Sequence, residues 1–139
     1  KEGVNDIQLQ TKLLLEQIII DKEIVIENIY YDYKQWNIRE DAAKELDKVV
    51  KLLIDNPGIT IELSSHTDSR GDDKSNMKLS QARAESAVAY IVSKGINKDR
   101  ITAKGYGESR PKIKDEQTEM DFQINRRTEF KVTKITKTK

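Results

Sequence analysis

The chain has 139 residues, which suits one domain with some chain to spare. Its formal net charge of +1 gives no general reason to expect nucleic acid or an anionic membrane as a partner. It contains no cysteine, which excludes disulfides, thiol catalysis and cysteine-ligated metals, and no apolar run approaches the ~20 residues that span a bilayer.

The first half of the chain predicts two strands, a helix and a third strand. Alternating apolar residues from Ile7 to Leu15 indicate a strand, and a β-branched and aromatic stretch from about Ile24 to Tyr33 indicates another. Over residues 37–58, apolar residues recur at the three- and four-residue spacing of a helix face, and the sequence Asn-Pro-Gly ends that helix. The segment TIELSS that follows predicts a short strand.

The second half predicts a polar loop from Thr67 to Ser75 and a helix from about Met77 to Lys94. The segment DRITAKGYG predicts a strand, and after a charged loop, MDFQINRR predicts a helical turn before a last strand, RRTEFKV. The last two strands lack an intervening helix long enough for a parallel crossover, so we expect them to pair antiparallel. The order of elements predicts a layer of helices against one sheet.

The stretch HTDSRGDDKSNMKLSQARAES, residues 66–86, holds the only histidine and most of the candidate chemistry. Its acids do not keep the spacing of a calcium loop, and one histidine without cysteine lacks the usual zinc ligands. Arg70-Gly71-Asp72 could be an adhesion tripeptide, but it is also an ordinary tight-turn sequence. We therefore expect no metal site, and a turn rather than an adhesion site.

Ser64, Ser65, His66 and Asp68 are sequence neighbours, which invites comparison with a catalytic triad. Alternate residues on a strand point to opposite faces, so Ser65 and His66 do not meet easily, and no nucleophile elbow is present. We expect no catalytic residue. His66 is better explained as a strand-end residue held by hydrogen bonds.

Asp68 and Arg83 leave two interpretations open. Asp68 follows a strand, and Arg83 lies at the edge of the apolar face of the next helix, where its guanidinium can reach outward. The two side chains either pair with each other as a structural salt bridge, or together grip a zwitterion that carries an ammonium and a carboxylate.

Four ordered motifs resemble a known family, the OmpA-like peptidoglycan-binding domain found in OmpA C-terminal, Pal and MotB-type proteins. The resemblance covers about residues 24–132. The motif residues are Thr67-Asp68 with Gly71; Asn76, Leu79-Ser80 and Arg83-Ala84; Gly105, Gly107-Glu108 and Pro111; and Asn125-Arg126-Arg127.

The resemblance implies an α+β fold, a β/α/β/α/β-β two-layer sandwich with two main helices on a mixed four-stranded sheet. It implies a domain over residues 24–133. Residues 1–23 are then an N-terminal extension, either an added hairpin or the exit strand of a preceding domain, and residues 134–139 are a frayed tail.

The resemblance also implies a ligand, the meso-diaminopimelate of the peptidoglycan stem peptide. Arg83 would take its carboxylate and Asp68 its ammonium, and a late arginine, Arg126 or Arg127, would support the pocket, with Arg127 assigned to the site. Trp36 either stacks on the ligand or covers the edge of the sheet. The other residues implied at the site are Thr67, Asn76 and Leu79, which shape it, and Asp32 and Lys34 in the loop after the first strand.

The function implied by the resemblance is non-covalent anchoring of a larger envelope protein or secretion complex to the cell wall, without enzyme activity or cofactor. The expected location is the periplasmic face of the outer membrane of a Gram-negative bacterium, and a type IX secretion complex is one setting. The alternative is a protein–protein scaffold module whose pocket is idle. An enzyme acting on wall peptides is a third class, for which the sequence offers no nucleophile or metal ligands.

Overall fold

A computed structural model describes residues 23–26, 29–31 and 34–136. The predicted strand from Ile7 to Leu15 and most of the predicted N-terminal extension lie outside these residues. The elements are β1 (Glu23–Ile26), α1 (Glu40–Asp55), β2 (Ile59–His66), α2 (Asp73–Ser93), a 3₁₀ turn (Lys98–Arg100), β3 (Ile101–Gly107), α3 (Glu119–Asn125) and β4 (Arg127–Ile135). No helix in the described ranges combines the length and apolarity needed to cross a membrane.

The four strands form one mixed sheet in the order β1-β4-β2-β3. β2 pairs parallel with β3, because α2 supplies the crossover between them, and β4 pairs antiparallel with both β1 and β2. The prediction that the last two strands pair with each other is wrong. The chain instead carries β4 past β3 and inserts it between β1 and β2, which leaves β3 at the edge.

Both long helices bury an apolar face against the sheet, as their spacing predicts. On α1 the buried residues include Leu46, Val49 and Leu53, and on α2 they are the small residues Ala84 and Ala87 with Ile91 and Ser80. Alternate residues of β2 meet these faces, since Ile59, Ile61 and Leu63 are all buried. The α+β class and the helix layer on a mixed four-stranded sheet are confirmed, with the short α3 as a third helix.

Element boundaries differ from the predictions at three places. β1 ends at Ile26, well before Tyr33, and the described residues 29–31 are not in a strand. α2 begins at Asp73 rather than near Met77, because the Asp72 side chain accepts a hydrogen bond from the Ser75 N–H and caps the helix. β4 continues to Ile135, two residues into the segment that we expected to fray.

The Gly-x-Gly motif joins β3 to α2. A Cβ on Gly105 would lie 2.2 Å from the backbone nitrogen of Gln81, so only glycine lets the strand approach the helix this closely. Gly107 has a positive φ of 56°, and its N–H donates to the buried Ser80 hydroxyl at 2.9 Å. The Leu-Ser and Gly-x-Gly motifs are therefore two sides of one helix–strand contact.

Arg100 closes the carboxyl end of α1, which has no basic residue in its own last turn. Its guanidinium donates to the carbonyl oxygens of Leu53 at 2.8 Å, Asn56 at 2.7 Å and Ile59 at 3.1 Å. A cation placed here satisfies carbonyls that the helix leaves unpaired and opposes the negative end of its dipole.

Replacing Arg100 with alanine should lower the free energy of unfolding by about 2 kcal/mol, because charged hydrogen bonds to three carbonyls are lost. Urea denaturation followed by circular dichroism measures the effect. Arg100→Lys keeps the charge but not the fork of donors, and should recover only part of the loss. Equal stability of Arg100→Ala and the parent chain would contradict this role.

Candidate functional site

The candidate site lies where β2 and β3 end side by side. The chain leaves β2 at His66, and the Thr67 N–H donates to the Gly107 carbonyl at 2.9 Å, which ties the two strand ends together. The Thr67 hydroxyl donates to the Asp68 carbonyl at 2.9 Å and stiffens the next turn. Asp68 is consequently held at the sheet edge and is only 6% exposed.

The Asp68 carboxylate is bound by two arginines. Arg126 Nη1 donates to Oδ2 at 2.7 Å and Arg70 Nη2 donates to the same oxygen at 2.8 Å, while the Arg70 backbone N–H donates to Oδ1 at 2.9 Å. Burial alone would raise the pKa of Asp68, but the hydrogen bonds from Arg70 and Arg126 outweigh it and hold the pKa below its ordinary value. The site therefore contains a buried, ionised carboxylate.

Helix α3 forms one wall of the site. Glu119 in its first turn accepts from Arg126 Nη2 at 2.7 Å and lies 3.6 Å from Arg70 Nη1. The Arg70 guanidinium also stacks over the Phe122 ring at 4.1 Å. Arg70 and Arg126 thus contact α3 as well as Asp68, and together these groups form a network rather than one isolated ion pair.

Arg83 reaches the site from α2. Its Nε donates to the Gln35 carbonyl at 2.8 Å, and its guanidinium lies 4.6 Å from the centre of the Tyr31 ring. Burial lowers the pKa of Arg83, and the positive charge of Arg126 lowers it further. Burial raises the pKa of Tyr31 to about 12 in spite of the neighbouring Arg83.

These contacts show whether Asp68 and Arg83 form a salt bridge with each other. Asp68 and Arg83 are both described, and no ion pair joins them; Asp68 pairs with Arg70 and Arg126 instead. Arg126 connects the two, since it binds Asp68 and repels Arg83 electrostatically. The site therefore presents a paired carboxylate beside a second, partly buried guanidinium.

The other implied residues fall into distinct places. The Asn76 amide donates to the Arg70 carbonyl and to Glu108 Oε1, both at 3.0 Å, so it ties the loop to the end of β3. Leu79 is half-buried on α2, and Lys34 is exposed with a positive φ of 55°. Asp32 lies outside the described residues, and its assignment stays a prediction.

The two arginines of the Asn-Arg-Arg motif point to opposite sides. Arg126 faces Asp68, whereas Arg127 donates to Glu129 Oε2 at 2.8 Å and to the Arg110 carbonyl at 2.8 Å. The structure therefore brings Arg126, and not the assigned Arg127, to Asp68. Alternation of side chains at the start of a strand separates neighbours in this way.

Asn125 organises the loop before α3 and was not predicted to do so. Its fully buried side chain accepts from the Lys112 and Ile113 N–H groups at 2.8 and 2.9 Å, and it donates to Glu116. Glu116 in turn accepts hydrogen bonds from the Ser69 hydroxyl and N–H. In the sequence, Asn125 is only an asparagine that precedes two arginines. Its role as a loop anchor becomes visible once its hydrogen-bond partners in the fold are known.

His66 lies behind the site, on the other side of β2, and is 3% exposed. Its Nε2 lies 3.1 Å from the Ser64 hydroxyl and 3.3 Å from Glu129 Oε1, and its ring stacks on Tyr106 with centroids 5.3 Å apart. In a catalytic triad the serine and the acid contact different ring nitrogens. Here both contact Nε2, while the buried Nδ1 has no hydrogen-bond partner among the described residues, so this cluster does not have triad geometry.

The Arg-Gly-Asp tripeptide is used within the fold. Gly71 adopts a φ of 92°, Arg70 binds Asp68, and Asp72 caps α2. Within the described ranges, no group of three or more potential metal-binding side chains of histidine, cysteine, aspartate or glutamate is present.

Comparisons with known proteins agree with this arrangement. The chain is 35% identical over 100 residues to the peptidoglycan-associated lipoprotein of Buchnera aphidicola, which covers 72% of this chain and 57% of that protein. It is 35% identical over 105 residues to outer membrane porin F of Pseudomonas fluorescens, with 76% and 32% covered. The chain spans between 10% and 57% of the length of three curated relatives that it matches.

Solved structures share the fold. The cell wall anchor of the T6SS from Pseudomonas aeruginosa superposes with a TM-score of 0.69 at 20% identity, covering 91% of this chain and 94% of that chain. A sequence model described as the OmpA family matches residues 30–126, which is more than half of the chain and includes Asp68, Arg70, Arg83 and Arg126. The chain therefore belongs to the OmpA family.

Proposed function

We propose that this domain binds peptidoglycan non-covalently through the meso-diaminopimelate of the stem peptide. The observations that carry the proposal are the buried Asp68 carboxylate, which Arg70 and Arg126 bind, and the partly buried Arg83 guanidinium, whose pKa is lowered by burial and by the charge of Arg126. A ligand with an ammonium and a carboxylate at one end matches these two groups in charge. Non-covalent binding needs no nucleophile or metal.

The roles of the two residues follow from their charges. Asp68 would accept hydrogen bonds from the ligand ammonium, and its depressed pKa keeps it ionised at neutral pH. Arg83 would bind the ligand carboxylate, for which a planar guanidinium offers paired donors. Arg126 holds Asp68 in place through an ion pair of 2.7 Å.

The proposal includes selectivity for wall type. A stem peptide with lysine in place of diaminopimelate has the ammonium but lacks the carboxylate at that end. Burying Arg83 against such a ligand would remove solvent without supplying an anion, which is unfavourable. We therefore propose a preference for diaminopimelate-containing peptidoglycan.

The relatives support a role as an anchor. One is called a peptidoglycan-associated lipoprotein and another structure is a cell wall anchor of a secretion system. We infer that this domain tethers a larger envelope protein or complex to the wall, at the periplasmic face of the outer membrane of a Gram-negative bacterium. It spans only part of its relatives, so the remainder of the whole protein would supply the attachment to the envelope.

Sedimentation with purified diaminopimelate-type sacculi tests the proposal. Asp68→Ala and Arg83→Ala should each weaken binding at least about tenfold, since each removes a charged hydrogen-bonding partner of the ligand. Asp55→Ala and Lys51→Ala remove the same charges from an exposed pair at the far end of α1, and should bind as the parent chain does. Asp68→Asn keeps the size and shape of the side chain, and it serves as the test variant if Asp68→Ala does not fold.

Full retention of sacculus binding by both site variants would contradict the proposal. The scaffold alternative makes a different prediction for a calorimetric titration with a stem peptide that contains meso-diaminopimelate. An idle pocket would give no binding heat and no competition with sacculi, whereas the proposed site gives saturable binding that a lysine-type peptide does not match.

A further inference from the structure

The loop before α1 is fastened to Arg83 at two points. The Tyr31 hydroxyl donates to the Arg83 backbone carbonyl at 3.2 Å, and Arg83 Nε donates to the Gln35 carbonyl at 2.8 Å. Between them, Lys34 takes a positive φ of 55°, which bends the chain sharply. Trp36 directly follows Gln35, so its backbone is tied to the Arg83 side chain through the Gln35 carbonyl.

Trp36 is the only tryptophan in the chain, and it is 47% exposed. Among the described residues its indole makes no hydrogen bond and no ring contact. Leaving so much of a large aromatic ring in water forgoes apolar burial that the fold could otherwise have used. Exposed tryptophan beside a charged anchor is characteristic of binding surfaces.

We propose that Trp36 is a ligand-binding residue that packs against the methylene chain of the diamino acid. This inference rests on the proposed function of Asp68 and Arg83. A carboxylate bound at Arg83 would place the adjoining carbon chain beside the Gln35-Trp36 segment, because the Gln35 carbonyl already accepts a hydrogen bond from Arg83. The charged groups then fix the end of the ligand, while the indole contributes affinity by covering the apolar part.

Intrinsic fluorescence reports on this contact directly, because Trp36 is the sole indole. Titration with a synthetic stem tetrapeptide that contains meso-diaminopimelate should shift the emission to shorter wavelength as water leaves the ring. The shift should saturate with the same midpoint as the heat of binding. Saturable heat without any change in emission would overturn the assignment of Trp36 and leave the site at Asp68 and Arg83 standing.

Substitution gives the second measurement. Trp36→Ala should weaken tetrapeptide binding about fivefold, the size typical of a contributing interface aromatic, and Trp36→Phe should restore most of it. Ile54→Ala is the matched control, since Ile54 is 59% exposed at the opposite end of α1 from the site. It should bind as the parent chain does.

The remaining outcomes separate the two proposals. If Trp36→Ala binds the tetrapeptide with unchanged affinity while Arg83→Ala binds it more weakly, the role of Trp36 alone is overturned. A loss that appears only when the peptide carries its disaccharide would also overturn it, because the indole would then serve the glycan. No binding of the tetrapeptide by the parent chain would overturn the proposed function and this inference together.

Discussion

Replacing Gly105 with alanine should lower the free energy of unfolding by about 3 kcal/mol or more. The added Cβ would lie 2.2 Å from the Gln81 nitrogen and 2.5 Å from its Cα, both backbone atoms of α2 that cannot rotate away. The helix must then move off β3, and this overpacking costs at least as much as the upper part of the usual range. Urea or thermal denaturation measures the loss.

Gly95→Ala is the matched control for this effect. Gly95 follows α2 with a φ of 100°, and nothing lies within 4 Å of where its Cβ would be. The cost there is only the strain of a left-handed alanine, about 1 kcal/mol. If Gly105→Ala were no less stable than Gly95→Ala, the close approach of β3 to α2 would not be what the glycine provides.

Replacing Glu129 with glutamine should remove about 3 kcal/mol of stability that depends on pH. Burial raises the pKa of Glu129, but His66 and Arg127 outweigh it and lower the pKa from 4.5 to about 2. A carboxylate whose pKa is lower in the folded state stabilises the fold above its unfolded value. That contribution disappears as the pH falls from about 4.5 to about 2.

The measurement compares denaturation of the two chains at several pH values. The gap between parent and Glu129→Gln should be widest at neutral pH and should narrow steadily below about pH 4.5. Glu40 is exposed at the start of α1, so Glu40→Gln should lose as much folding stability at low pH as the parent chain does. A gap that stays constant down to about pH 2 would show that Glu129 acts through its shape and not its charge.

The helices were predictable from the sequence because their signals are local. The apolar spacing of α1 and the Asn-Pro-Gly stop lie within one segment, and the structure confirms both. The early start of α2 was also readable in principle, since Asp72 three residues before Ser75 is a standard capping arrangement. The polar residues of the first turn resemble a loop, and this conceals the capping signal.

The position of β4 in the sheet was not predictable from local patterns. Its alternation indicates a strand, but nothing in residues 127–135 tells which neighbours it will meet. The lack of a long helix after β3 suggested antiparallel pairing with β3 itself. The antiparallel pairing is present, but with β2 and β1, because the loop and α3 carry the chain past the edge strand.

The ion-pair partners of Asp68 were not predictable from the sequence. The spacing of fifteen residues between Asp68 and Arg83 could not exclude a direct salt bridge, whereas in the structure Asp68 pairs with Arg70 and Arg126. Of the two arginines that bind Asp68, Arg70 is two residues away in the sequence, whereas Arg126 is 58 residues away. Only the fold brings Arg126 there, and the adjacent arginine is identical in chemistry, so the sequence could not choose between them.

The opposed arginines of the Asn-Arg-Arg motif have a consequence for insertions and deletions. Arg126 faces Asp68 and Arg127 faces Glu129, with Asn125 anchoring the loop just before them. Removing one residue between the anchor and β4 would exchange the two faces along the strand. The segment 125–127 therefore has a length that is as constrained as its composition.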